Sequence, residues 1–568
     1  MTNYQFTGGI ICAPATIPGT GAISIIRVSG KESLAIADKV IDTKGVPIAE
    51  TEGYRLRYGT VFEADGSVLD NVIVSVFRAP HSYTGENSVE ISCHASRFIV
   101  NKILELLVNA GARIAAPGEF TRRAFVNGKM DLAQAEAVAD VIASQSAASH
   151  RVAMNQLKGG FSSELKTLRE KLLTMTSLLE LELDFSEEDV EFASRKELGQ
   201  LVDDSLTHIG RLTASFSRGN AIKNGVPVAI VGATNTGKST LLNALLGEER
   251  AIVSDIAGTT RDTIEETLNI DGILFRFIDT AGIRETDETI EKIGIDRTFK
   301  KLGEAAVVLG MTDLSRGEAA VLEDADFILS KVNEMGGLKN VGTGSDGAET
   351  GGASPAETDG TSLAETGGAP LAGTDGTPLA ETGGTPQAET GVASQHGHGD
   401  GQERKVVILV NKCDIAGSFY KDDNGTGDGS DNDLGENMAE IGGNKNVNHD
   451  NNIVSLIENK YDNCKVIPIS AKTGKGLSTL TKTLGEIGSE ITGSTDETLV
   501  TNARHYEALV RAASALERVS AGLHIATLPP DLIAQDLREA LYHLGEIVGE
   551  ISTDETLGNI FRNFCVGK

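Results

Sequence analysis

The chain has 568 residues, a formal net charge of −30 and five cysteines. That length implies several domains, and the acidity excludes a protein that binds RNA with its whole surface. The cysteines, at 12, 93, 413, 464 and 565, show no metal spacing, and no apolar run reaches the length of a membrane span. No signal or transit peptide precedes the first apolar strand, so a reducing, cytoplasmic location without membrane contact is expected.

Residues 1–130 mix β-rich runs such as NVIVSVF and VEISCH with short helices, and their charge is nearly balanced, 13 Lys+Arg against 12 Asp+Glu. From Asp131 to residue 222 the pattern turns helical (LAQAEAVADVIASQS, then LKTLREKLLTMTSLLELELDF), with apolar residues recurring at three and four. Val228 to Gly247, VAIVGATNTGKSTLLNALLG, then reads as an apolar strand, a Gly-rich loop and an apolar-periodic helix. This is G-x-x-x-x-G-K-[ST] in its proper context. Amides of such a loop point at phosphate oxygens, and the helix N-terminus adds partial positive charge. Asn235, Thr236, Gly237, Lys238, Ser239 and Thr240 are the expected phosphate contacts, with Lys238 on the outer phosphates and Ser239 on Mg²⁺.

SDIAGTTRD follows at the place of a switch loop, with Ser254, Asp255, Ile256, Ala257, Gly258, Thr259 and Thr260 as nucleotide contacts and Thr260 as a Mg²⁺ ligand. After the strand ILFRFI comes Asp279-Thr280-Ala281-Gly282, where the carboxylate suits the Mg²⁺ shell and the Gly amide the γ-phosphate. Ras-type GTPases place a water-orienting Gln next. Here the residue is Ile283, which cannot polarise water. Asn235 is a candidate to help: its carboxamide oxygen, with switch-loop carbonyls, can hold a monovalent cation beside the phosphates. A loop-capping role for Asn235 is the alternative.

From about 333 to 403 an Ala-(Glu/Gly)-Thr unit recurs every eight residues, at 348, 356, 364, 372, 380 and 388. Such a segment cannot bury a core and reads as a disordered loop, as does the polar stretch 417–452. Between them the strand VVILV ends in Asn411, Lys412, Cys413 and Asp414. A carboxylate at Asp414 accepts both donors of the guanine edge, which adenine cannot supply. Ser470, Ala471 and Lys472 follow the strand KVIPIS and suit a second loop around the base. These motifs in this order give a GTP-binding domain, placed at 223–490. Two more helical patterns fill 491–568, which ends in Phe564-Cys565-Val566-Gly567-Lys568. Cys565 reads either as a small buried hydrophobe or, beside a lysine that can lower its pKa, as a reactive thiol.

The chain resembles the MnmE (TrmE) family of tRNA-modification GTPases. The resemblance rests on ATIPGTGAISIIRVSG, SYTGENSVEISCH, PGEFTRRAFVNGKMDLAQAEAV, GTTRD, DTAGIRETDETIEKIGI and the Cys-x-Gly-Lys ending, and it spans nearly everything but the long insertion. It implies a multidomain α/β and α+β fold. A folate-binding, aminomethyltransferase-like domain at 1–130 makes a constitutive homodimer, and a discontinuous helical domain (131–222 and 491–568) carries an inserted Ras-like P-loop domain.

The resemblance also implies potassium-stimulated GTP hydrolysis with Mg²⁺ when two G domains meet. Potassium falls to Asn235, Ser254, Ile256 and Thr259, and water orientation to Glu291; Arg261 and Arg284 match switch arginines and Cys565 a residue needed for modification. Without the family motif Glu291 reads as a solvated helix carboxylate. Arg27, Glu90, Lys129 and Lys568 match contacts to 5,10-methylene- or 5-formyl-tetrahydrofolate. The implied partner is MnmG, a flavoprotein with FAD and NADH, and the implied reaction is modification of carbon 5 of the wobble uridine (position 34) of certain tRNAs. The family's usual Pro before the loop Asn is Thr234 here, its usual Thr is Ser254, and its Ile or Leu is Val566. A ribosome-assembly GTPase, the first rival, would lack the folate-like motifs and the Cys-x-Gly-Lys end. A stand-alone folate aminomethyltransferase would act without a flavoprotein.

Overall fold

The computed structural model describes residues 8–184, 194–249, 266–278, 305–334, 404–414, 452–461, 464–493, 497–524, 529–562, 564 and 567. The N-terminal part is a seven-stranded sheet of β1 (Ile11–Pro14), β2 (Ile23–Ser29), β3 (Ile41–Asp42), β4 (Arg55–Phe62), β5 (Val68–Phe77), β6 (Ser88–His94) and β7 (Arg113–Ile114), in the order β3-β4-β5-β6-β2-β1-β7. Only β1 and β7 pair parallel. Alternation decides which face is covered. Val72, Val74 and Val76 of β5 are buried with Val89 and Ile91 of β6 under the helices Ser33–Val40 and Arg97–Asn109. Leu56, Tyr58 and Ile73 are exposed, and Tyr58 stands opposite Ile73.

The second part is a bundle of long helices drawn from both ends of the chain. Leu165, Leu172 and Leu179 of Gly160–Asp184 and Val202 and Ile209 of Arg195–Ala214 share one core with Leu509 and Leu516 of Ala503–Leu523 and Leu537 and Leu544 of Pro530–Val548. Periodicity alone gives each helix its apolar stripe, but not the pairing of halves separated by a whole domain. The seam also holds a buried polar cluster. Arg504 donates to both oxygens of Glu136 at 3.0 Å and to the carbonyls of Glu546 and Ile547, and the His505 ring lies 2.6 Å from Glu136 Oε2.

The third part is a six-stranded sheet ordered β13-β12-β11-β8-β10-β9, with β8 Val226–Gly232, β9 Glu266–Ile270, β10 Ile273–Phe277, β11 Val307–Asp313, β12 Lys405–Asn411 and β13 Cys464–Pro468. All neighbours pair parallel except β9 and β10, a hairpin closed by Asp271 and Gly272, both at positive φ. Helices cover both faces, so the strands are continuous apolar runs. Two segment bounds expected to be disordered differ. The helix Glu318–Glu334 runs past 333 because Val321, Ala325, Ile328, Leu329 and Val332 keep its periodicity, and a helix begins at Asn452. The rest of both insertions lies outside the described residues.

Candidate functional site: a nucleotide loop and a second site at the chain's end

The strand β8 ends at Gly232 and the helix Lys238–Glu249 starts six residues later. The loop between them needs glycine at two points. Gly232 has φ +154 and a Cβ there would strike the Met311 carbonyl; Gly237 has φ +99 and a Cβ would strike Asn411 Nδ2. Thr236 donates its hydroxyl to the Ala233 carbonyl at 2.9 Å, which tightens the turn. Lys238 Nζ donates to the carbonyls of Gly232 and Ala233 at 2.8 and 2.7 Å, and burial lowers its pKa. An ammonium withdrawn from water and held by loop carbonyls fits the phosphate group of a nucleotide, and Ser239 follows it on the same first turn. Asn235 sits exposed at the crest with φ +63, and among the described residues its side chain has no hydrogen-bond partner. Thr240 is exposed one residue beyond Ser239.

The base-side loops join this one through Asn411. Buried at the end of β12, it donates Nδ2 to the Thr236 carbonyl at 2.7 Å and accepts the Ala471 N–H at 3.0 Å. Lys412 takes φ +65 and forms a 2.6 Å ion pair with Asp313, the residue paired with Asn411 in the parallel register of β11 and β12. Burial would raise the Asp313 pKa, but Lys412 and Ser315 outweigh it and lower it. Asp313 belongs to no motif of the sequence; its signal is a carboxylate ending an apolar strand beside the strand of the base motif. Cys413 donates its amide to the Ile469 carbonyl at 3.3 Å, while Ser470 accepts the Thr473 amide on its hydroxyl and the Gly474 amide on its carbonyl. Asp414 and Lys472 are exposed on the two loops. An Asp414→Asn variant is expected to lose on the order of 10²-fold in GTP affinity and to gain affinity for xanthosine triphosphate, whose C2 carbonyl accepts the new N–H. Competition against labelled GTP measures both, and unchanged GTP affinity would remove Asp414 from the base site.

The residues Ser254 to Thr260, Arg261, Asp279 to Gly282, Arg284, Glu291, Cys565 and Lys568 lie outside the described residues.

A second site lies on the N-terminal sheet. Arg27 of β2 and Glu90 of β6 are register partners, and Arg27 Nε and Nη2 both reach Glu90 Oε1 at 2.9 Å. The Arg27 guanidinium lies 5.1 Å from the Tyr83 ring centroid and 5.6 Å from that of Phe120. Arg27 Nη1 reaches the Gly567 carbonyl at 3.4 Å, so the structure brings the chain's end to the sheet. Lys129 is exposed, donates to the Pro80 carbonyl at 3.1 Å and packs its stem along Gly85, in the loop that carries Tyr83. Beneath that loop, buried Arg123 pairs with Glu86 at 2.9 Å and Glu119 at 3.1 Å. Burial pushes the thiols of Cys12, Cys93 and Cys464 up to about 11, so these three are poor nucleophiles.

Two family models match the chain. Residues 10–129 match the family described as "GTP-binding protein TrmE N-terminus", and residues 132–565 match "MnmE helical domain". A tRNA modification GTPase MnmE of Parabacteroides distasonis is 43% identical over 561 residues, covering 98% of this chain and 99% of the relative. The proteins of the same name from Bacteroides thetaiotaomicron (42% over 561 residues, 98% and 99%) and Porphyromonas gingivalis (41% over 573 residues, 100% and 99%) are similar over the same extent. Among the described residues no helix is long and apolar enough to cross a membrane. With its phosphate loop, its base loops and both family regions in one chain, this protein belongs to the MnmE family of tRNA modification GTPases.

Proposed function

We propose that this protein is a potassium-stimulated GTPase that works with the flavoprotein MnmG, which carries FAD and NADH. The pair modifies carbon 5 of the wobble uridine of certain tRNAs to an aminomethyl or carboxymethylaminomethyl group. The one-carbon unit comes from methylene-tetrahydrofolate. GTP turnover drives G-domain association and a change of shape, not bond formation at uridine. The observation that carries the GTPase reading is the clamp by which Asn411 joins the phosphate loop to the base loop. That clamp makes one rigid cradle for a guanine nucleotide with Mg²⁺.

Three further observations support the finer parts. Asn235, exposed at the loop crest with no partner for its carboxamide among the described residues, suits a cation shared with the switch residues Ser254, Ile256 and Thr259. Glu90 directs one oxygen at Arg27 and has no partner on the other among the described residues, which suits the amidine-like edge of a pterin. The exposed apolar side chains of Leu56, Tyr58 and Ile73 suit a homodimer contact on the uncovered sheet face. In this reading Glu291 orients the attacking water, Arg261 and Arg284 serve the switches, Ser239 and Thr260 hold Mg²⁺, Lys129 and Lys568 meet the folate, and Cys565 acts at the modification site.

The test is GTP hydrolysis by the full chain in potassium and in sodium. Potassium is expected to raise the rate by on the order of tenfold or more, and Asn235→Ala to abolish that difference. Glu291→Ala should lower the rate in both salts. Equal wild-type rates in the two salts would overturn the cation assignment.

A further inference from the structure

Asp313 ends β11 where the phosphate loop and the base loop meet. Two residues before it, the Met311 carbonyl is the atom that only a glycine at 232 can pass. In the parallel register Asp313 stands beside Asn411, the residue that joins the two loops. Its two oxygens have separate tasks. Oδ1 accepts the Ser315 amide at 3.0 Å and the Ser315 hydroxyl at 2.6 Å, which caps the short turn Leu314–Arg316. Oδ2 accepts Lys412 Nζ at 2.6 Å. The side chain is only 7% exposed. The cap does not call for a buried charge there, because Asn and Ser cap as well as Asp does. The charge is explained by Lys412, since a carboxylate withdrawn from water needs a partner.

Lys412 is the strained residue of the base loop. Its φ of +65 lies in the left-handed region, which a lysine rarely enters. Such a residue stays there only where its surroundings fix it. Here they do so on three sides. Asn411 before it is held by the Thr236 carbonyl and the Ala471 amide, and Cys413 after it donates its amide to the Ile469 carbonyl at 3.3 Å. The ammonium of Lys412 itself is tied to Asp313. From this turned residue the chain runs out to Asp414, exposed on the loop.

We propose that Asp313 is a specificity-determining positioning residue: by holding Lys412 in its left-handed turn it fixes where the Asp414 carboxylate stands, and so sets how strictly the cradle selects guanine. The proposal rests on the reading of Asp414 as the acceptor for the guanine edge.

Binding of GDP and of inosine diphosphate to the full chain tests it. Inosine lacks the 2-amino group, so it offers Asp414 one donor where guanine offers two, and the ratio of the two affinities reports how well the carboxylate is placed. Asp313→Asn keeps an oxygen for Ser315 and sets an NH₂ against the ammonium. It is expected to lower the preference for GDP by on the order of tenfold, the worth of one hydrogen bond to a charged group. In a Lys412→Gln background the same substitution should change the preference by no more than about twofold, because the link is already cut. Asp313→Ser, whose hydroxyl still caps the turn but falls short of Lys412, gives the same reading if the Asn variant does not fold. Equal weakening of both nucleotides, in both backgrounds, would mean that Asp313 only caps its turn, and would overturn the proposal. An unchanged preference would overturn it too, and the base reading would survive if Asp414→Asn takes up xanthosine diphosphate. If Asp414→Asn gains nothing for that nucleotide, the base reading falls and takes the proposal with it.

Discussion

An Asn411→Ala variant is expected to bind GTP and GDP on the order of 10²-fold more weakly, with its fold intact. The side chain is buried and serves two backbone groups, the Thr236 carbonyl and the Ala471 amide. Removing it leaves both without partners, at about 1–3 kcal/mol each. The penalty falls on binding because both groups belong to loops that the nucleotide must find already formed. Gly237 leaves no slack, since its Cβ position is already filled by Asn411 Nδ2. Asn411→Asp tests the same idea from the other side: the shape is kept, but a carboxylate then faces the Thr236 carbonyl, and the loss should be at least as large. Titration with a fluorescent GDP analogue measures both, and a change under threefold in either would show that the clamp contributes nothing to affinity.

The phosphate loop and the base motif were legible because their chemistry is written in consecutive residues after a strand. Lys238, Asn411 and Ala471 needed only the expectation that a parallel sheet brings strand ends to one edge, and β8, β11, β12 and β13 do so. What stayed illegible has its partners far apart in sequence. Asp313 reaches Lys412, and Glu136 reaches Arg504 and His505. No periodicity marks such pairs, because each residue alone reads as a solvated charge. The joining of the two helical halves has the same character: each helix shows its apolar stripe, and the match between Leu165 or Leu172 and Leu509 or Leu537 exists only after folding.

The largest stability effect is expected at that joint. Burial alone would raise the Glu136 pKa, but the His505 ring and the Arg504 guanidinium outweigh it and hold the carboxyl at about 2. Glu136→Gln removes the charge and leaves the half-buried Arg504 guanidinium against a neutral amide, with His505 facing the same group. Breaking a fully buried pair by losing one partner costs about 3–5 kcal/mol; with Arg504 partly exposed the low end applies, so hydrogen exchange of the helix Ala503–Leu523 should quicken on the order of 10²-fold at pH 7. The pH dependence has a definite sign. Glu136 ionises more readily folded than unfolded, so its contribution is full above about pH 4.5 and is lost as pH falls toward 2. His505 is pushed below its usual 6.5 by burial, which outweighs the pull of Glu136. The unfolded chain therefore takes a proton that the folded one refuses, and this contribution shrinks as pH falls below 6.5. Both groups act in one direction: acid loosens the seam, first through the histidine and then through the carboxylate. In Glu136→Gln the second phase should vanish, because nothing at that position titrates. Protection of this helix that is unchanged by the substitution, or flat between pH 7 and pH 2 after correction for intrinsic exchange, would mean that the bundle is held by its leucines alone.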